Sequence, residues 1–133
     1  MALVRLVEYA DAGPEVRAVY DDIITSRKVK AVNNFWKVIA TNPSLLKQMW
    51  EMVKNALKPG RIDPLTKEMI AIAVSATNNC AYCLHSHTAA AQKLGLDEEM
   101  LGELYTVIAA FNATNRVANG YQIEPDITPT YPR

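Results

Sequence analysis

Long apolar runs and an excess of one charge are both missing from this sequence of 133 residues. No stretch of about 18 apolar residues occurs, so we expect no membrane span. The 14 basic and 14 acidic residues cancel, and this balance argues against nucleic acid or an anionic membrane surface as a partner. The N-terminus lacks a basic region followed by a long apolar segment, so we expect no secretory signal and a cytoplasmic location.

Cysteine and histidine are scarce, with two residues of each in the whole chain. The cysteines, Cys80 and Cys83, are only three positions apart. Cytoplasmic thiols are normally kept reduced. A pair at this spacing therefore favours catalysis or metal binding over a structural disulfide.

Strand-like alternation, internal repeats and low-complexity segments are also absent, whereas helix signals are frequent. Pro14, Pro43 and Pro64 each suit the first position of a helix, and the last two follow the capping residues Asn42 and Asp63. Half of the residues are hydrophobic, which is enough for a real core. These features predict an all-α fold of about six helices.

The domain organisation follows from the same pattern. Residues 1–133 are predicted to form a single domain with its core at about 35–117, and Gly120 with the prolines after it predicts an extended tail over 120–133. Gly95 is expected to end a helix in a left-handed conformation. Trp36 and Trp50 lie on apolar stripes, which favours a place in the core or in an interface.

Two consecutive helices are expected to carry the chemistry. The first, from Pro64 to about Asn78, is apolar over most of its surface, which predicts that its one acid, Glu68, is at least partly buried. Asn78 and Asn79 can cap the second helix, which is expected to run from about Cys80 to Leu94. Because the two helices are joined tightly, they should pack against each other.

Both cysteines and both histidines lie between Cys80 and His87. On a helix, residues three and four apart share a face and residues two apart do not. Cys80, Cys83 and His87 should therefore form one stripe, while His85 should point away from it. The helix start favours a thiolate at either cysteine, and His87 can accept the proton of Cys83.

Glu68 completes this arrangement. A carboxylate in a mostly apolar helix is costly without a partner, and His87 is a natural one. The pair would fix the tautomer of the imidazole and raise its basicity, as the third group does in triad-type sites. An exposed glutamate paired with a lysine is the alternative.

The spacing of Glu68, Cys80-Ala81-Tyr82-Cys83 and His87 resembles the signature of the alkylhydroperoxidase D-like (AhpD-like) proteins of the carboxymuconolactone decarboxylase superfamily. The resemblance implies an all-α fold, trimers or hexamers, and peroxidase activity through a reversible disulfide. It implies further that Cys83 reacts with the hydroperoxide, that Cys80 resolves it, and that Glu68 and His87 relay protons. A thiol or disulfide reductant would be the second partner.

Tyr82 stands where the best-known alkylhydroperoxidase D has a histidine, so a part for Tyr82 in the proton relay and a packed core position are both open. We expect neither a cofactor nor a bound metal. Zinc held by the two cysteines, His87 and Glu68 is a rival interpretation. Two more functions stay open: a non-redox decarboxylase-like enzyme using His87 and Glu68 as acid–base groups, and a non-enzymatic redox sensor.

Overall fold

The computed structural model describes residues 2–130, and over that range it contains helices and no strand. This confirms the predicted all-α class and helix number. A 3-10 turn, Tyr9–Asp11, comes before six α-helices. They are α1 (Pro14–Arg27), α2 (Asn34–Ile39), α3 (Pro43–Leu57), α4 (Pro64–Thr77), α5 (Ala81–Lys93) and α6 (Glu98–Tyr121).

The helices begin where local chemistry favours a start. Proline occupies the first turn of α1, α3 and α4, where its missing N–H costs nothing. The side chains of Asn42, Asp63 and Asp97 each accept a hydrogen bond from the backbone N–H three residues later, at 2.8–3.1 Å. Each of these bonds satisfies one of the N–H groups that a helix start leaves without a partner.

The chain divides after Lys58 into two compact units, and the single-domain prediction stays a prediction. In the first unit, Tyr20 and Leu46 are fully buried, and the rings of Trp36 and Trp50 meet edge-on with centroids 5.4 Å apart. Such edge-to-face contacts stabilise a core beyond the area that they bury. Both tryptophans are therefore core residues, as expected.

A polar contact ties α1 to α3 in this unit. The indole N–H of Trp50 donates to Asp22 at 2.7 Å, and the Lys54 ammonium donates to both carboxylate oxygens at 2.8 Å. The Lys54 ammonium and the Trp50 N–H together hold the pKa of Asp22 below its usual range. The carboxylate therefore stabilises the folded state in its charged form.

The second unit consists of α4, α5, α6 and the chain after them. Its core contains Ile72, Ala91 and Leu96, all of them at most 5% exposed. Gly95 has φ 104° and ends α5, as predicted. Its N–H and that of Leu96 bond back to the carbonyls of Gln92 and Ala91, which is the hydrogen-bond pattern of a Schellman motif.

The last helix extends into the predicted tail. It includes Gly120 and ends at Tyr121, because Gln122 adopts a left-handed conformation with φ 51°. No proline occurs between Pro64 and Pro125, so no proline interrupts the extra helical residues. Residues 123–130 form no helix or strand, and the rest of the predicted tail lies outside the described residues. No helix in the described range is long and apolar enough to cross a bilayer.

Candidate active site

A tight turn between α4 and α5 brings the cysteine pair to the start of a helix. Asn78 ends α4 and Asn79 adopts a left-handed conformation with φ 58°, which asparagine tolerates better than most residues. The backbone N–H of Cys80 then donates to the carbonyl of Ser75 at 2.9 Å. The two asparagines therefore form the turn, and the prediction that they cap α5 is wrong.

Cys80 itself is the N-cap of α5. Its sulfur accepts a hydrogen bond from the backbone N–H of Cys83 at 3.3 Å, the position that a serine or aspartate oxygen usually takes at a helix start. The sequence did not predict this role, because the two asparagines before Cys80 are far more common helix caps than cysteine. Cys80 and Cys83 are joined in a disulfide, with Cα atoms 5.3 Å apart.

The expected contact between Glu68 and His87 is present. Nδ1 of His87 lies 2.7 Å from Oε2 of Glu68, across the interface of α4 and α5. The Glu68 side chain is 7% exposed and that of His87 is 26% exposed. A carboxylate buried to this degree requires a hydrogen-bonding partner, so the alternative of an exposed, lysine-paired glutamate is wrong.

This contact determines what the imidazole can do. With Nδ1 engaged by the carboxylate, the proton of a neutral ring is favoured on Nδ1 and the lone pair on Nε2. Since His87 comes four residues after Cys83 on α5, both lie on the same helix face. The arrangement leaves Nε2 of His87 as the ring nitrogen that could accept a proton on the helix face that carries Cys83.

The other predicted neighbours lie outside this pair. His85 is exposed, as its position two residues from His87 indicated. Tyr82 is 45% exposed, so it is not a packed core residue, and its part in a proton relay stays a prediction. Within residues 2–130, no group of three histidine, cysteine, aspartate or glutamate side chains is placed to hold a metal ion.

The sequence matches known proteins over the region that contains this site. Residues 43–123, more than half of the chain, match the carboxymuconolactone decarboxylase family. The chain belongs to this family. The match includes α3 to α6 and therefore every residue of the candidate site.

Two relatives refine this assignment within the carboxymuconolactone decarboxylase family. The alkyl hydroperoxide reductase AhpD of Anaeromyxobacter dehalogenans (strain 2CP-C) is 30% identical over 108 residues, which cover 78% of this chain. Those residues cover 58% of the relative, so the match leaves much of its length unaligned. The crystal structure of the alkylhydroperoxidase AhpD core from Rhodospirillum rubrum ATCC 11170 is 45% identical, covers 95% of both chains and superposes with a TM-score of 0.90. The chain is thus an AhpD-like member of the family.

Proposed function

We propose that the protein is a thiol-dependent peroxidase that cycles through the Cys80–Cys83 disulfide. The observation that carries the proposal is the 2.7 Å contact of the His87 imidazole with the buried Glu68, on the helix whose start holds the Cys80–Cys83 disulfide. A metal-free oxidation of two thiols needs a nucleophilic thiolate, a resolving thiol close by and a group that moves protons. This short segment of α4 and α5 contains all three.

In the oxidative half of the cycle, Cys83 is the nucleophile. Nε2 of His87 takes the Cys83 proton, and the imidazolium that results is stabilised by the Glu68 carboxylate at Nδ1. The thiolate attacks one oxygen of the hydroperoxide, the O–O bond breaks, and the alkoxide leaves as an alcohol with the proton from His87. Cys83 is thereby oxidised to a sulfenic acid.

Cys80 then resolves the intermediate. As the N-cap of α5 it sits at the positive end of the helix, and its sulfur already accepts the N–H of Cys83, so its thiolate is favoured there. The Cys80 proton passes to the neutral His87, the Cys80 thiolate attacks the sulfur of Cys83, and the S–O bond breaks. The disulfide forms, and the hydroxide leaves as water with the proton that His87 returns. An external dithiol supplies two electrons and two protons to reset the pair, and is itself oxidised to a disulfide.

The test is a count of free thiols in the reduced protein before and after one equivalent of a hydroperoxide. We expect the loss of both thiols in the wild type. Cys80→Ser should stop at a sulfenic acid on Cys83, and Cys83→Ser should keep its remaining thiol. Survival of both thiols in folded wild-type protein would contradict the proposal.

A matched pair of histidine variants tests the proton relay. His87→Gln removes the ring that Glu68 orients, whereas His85→Gln removes an exposed ring from the same helix. We expect slower oxidation in the first variant and wild-type rates in the second. Equal rates in all three proteins would exclude His87 as the base.

A second candidate is supported by the family that the chain matches. As a decarboxylase-like enzyme, the protein would use His87 and Glu68 as acid–base groups on a carboxylated or lactone substrate, without redox chemistry. Replacing both cysteines by serine separates the two functions, because decarboxylation would survive the change and peroxide reduction would not. Only the family name favours the decarboxylase-like function, whereas the cysteine pair favours the peroxidase.

The proposed partners are a hydroperoxide, a dithiol reductant and further copies of the chain, assembled as a trimer or a hexamer. The name of the A. dehalogenans relative supports the first of these. Light scattering of the purified protein at micromolar concentration measures the assembly. A monomer mass would contradict this part of the proposal.

A further inference from the structure

Cys80 belongs to the end of one helix and to the start of the next. Its backbone N–H donates to the carbonyl of Ser75 at 2.9 Å. The preceding residue, Asn79, is left-handed and donates to the carbonyl of Ala76 at 3.3 Å. These two bonds are those of a Schellman motif that closes α4, whereas the sulfur of Cys80 caps α5. The position of Cys80 therefore depends on the last turn of α4 as well as on the first turn of α5.

A side chain of α6 holds that last turn of α4. The amide nitrogen of Asn112 donates to the hydroxyl of Thr77 at 3.0 Å, and Thr77 is the last residue of α4. The same nitrogen donates to the backbone carbonyl of Ile108 at 2.9 Å. Both of its hydrogens are thereby used, so the bond within α6 fixes the direction in which the amide points.

Packing alone does not place the end of α4 in this way. Leu104 and Ile108 of α6 pack against the core around Ile72, which brings the two helices together. Such contacts have no preferred direction, and the ends of helices fray most easily. The bond between Asn112 and Thr77 is directional, and it joins residues 35 positions apart. It fixes the helix end three positions before Cys80.

We propose that Asn112 is a positioning residue for the cysteine pair, and that it acts through Thr77 and the turn that follows. When the disulfide is reduced, the covalent link between the two sulfurs is gone. The hydrogen bonds at the end of α4 then keep Cys80 at the start of α5, where its sulfur lies close to Cys83. Two groups that are held together react as if their concentration were raised, so the bond favours the disulfide over the dithiol.

The inference rests on the proposed dithiol–disulfide cycle and adds to it a residue from a third helix. Its size follows from the energy of one hydrogen bond. A neutral bond changes an equilibrium constant by roughly two- to tenfold. Loss of the bond between Asn112 and Thr77 should lower the equilibrium constant for formation of the disulfide by a factor in that range.

The experiment equilibrates the full chain with mixtures of reduced and oxidised glutathione, followed by an acid quench, alkylation and mass spectrometry. Thr77→Val removes the hydroxyl with little change of shape, and Thr77→Ser keeps it. Thr106→Val is the matched control, because the hydroxyl of the exposed Thr106 donates to the Gly102 carbonyl within α6 at 3.0 Å. We expect an equilibrium constant at least twofold lower for Thr77→Val, and wild-type values for Thr77→Ser and for the control.

A second variant breaks the same bond from α6. Asn112→Leu should lower the equilibrium constant as Thr77→Val does, and the double variant should show no further fall, because the two changes remove one shared interaction. Additive falls would overturn the inference. If Asn112→Leu loses its helical signal in circular dichroism, the three threonine variants alone decide.

Melting temperatures of the same samples separate positioning from a contribution to stability alone. A Thr77→Val variant that melts at a lower temperature but keeps the wild-type equilibrium constant would overturn the inference, as would an equal fall in Thr77→Ser or in the control. No peroxide is present, so these results leave the proposed peroxidase activity untouched. Thiols that resist peroxide would refute that activity alone, and a wild type that forms no disulfide at any glutathione ratio would refute both.

Discussion

Replacing Glu68 by glutamine removes the negative charge of the buried carboxylate and tests whether that charge stabilises a protonated His87. The amide can still hydrogen-bond to Nδ1 of His87, but it cannot stabilise an imidazolium by charge. A hydrogen bond to a charged group contributes about 1.5–3 kcal/mol, against about 1 kcal/mol for a neutral bond. The variant should therefore lose about 1–2 kcal/mol of stabilisation when His87 takes the Cys83 proton.

At about 1.36 kcal/mol per factor of ten, this loss predicts a roughly five- to thirtyfold slower oxidation of the thiol pair. The 2.7 Å distance and the 7% exposure of Glu68 justify the full value for a charged bond, because little solvent screens the pair.

The rate is measured by mixing reduced protein with a hydroperoxide, quenching at set times and counting free thiols. Glu103→Gln is the control, since Glu103 is an exposed glutamate of the same unit. We expect wild-type rates for the control. A folded Glu68→Gln variant that reacts as fast as the control would refute the stabilisation of a His87 imidazolium by the Glu68 charge.

Three further predictions concern stability. Asp22→Asn should lower the free energy of unfolding at pH 7 by about 1 kcal/mol, a value discounted because the carboxylate is partly exposed. Because the fold lowers the pKa of Asp22, its contribution to stability is present above the ordinary aspartate range and is lost as the pH falls below about 4. In urea unfolding, the change in the free energy of unfolding between pH 7 and pH 3 should therefore be smaller for the variant than for the wild type. Gly95→Ala should cost about 1 kcal/mol or more, because φ 104° strains any residue with a Cβ, and an unchanged melting temperature would contradict this. Ile72→Ala removes a fully buried side chain and should cost about 2–5 kcal/mol, measured by urea unfolding with the exposed Ile70→Ala as control.

The helices could be predicted because their signals are local. Asn42, Asp63 and Asp97 act within three residues of their own position, and Gly95 reverses the chain through its own φ. The common face of Cys83 and His87 depends only on helical spacing. These features require no knowledge of what packs against them.

The sequence suggested the pairing of Glu68 with His87, but the geometry of contacts between distant residues required the folded chain. Glu68 and His87 are 19 positions apart, and their contact exists because α4 and α5 pack with these faces together. The hydrogen bonds of Trp50 and Lys54 to Asp22 also depend on packing, because these two residues lie 28 and 32 positions after Asp22 in the sequence.

The scarcity of cysteine and histidine pointed to the site, and the sequence alone determined which side chains share its helix face. Tertiary structure decided the rest. The turn at Asn79 made Cys80 the cap of its own helix, since a left-handed residue redirects the chain before α5 begins. Packing of α4 buried Glu68 against His87, because a carboxylate removed from water requires a hydrogen-bonding partner within reach.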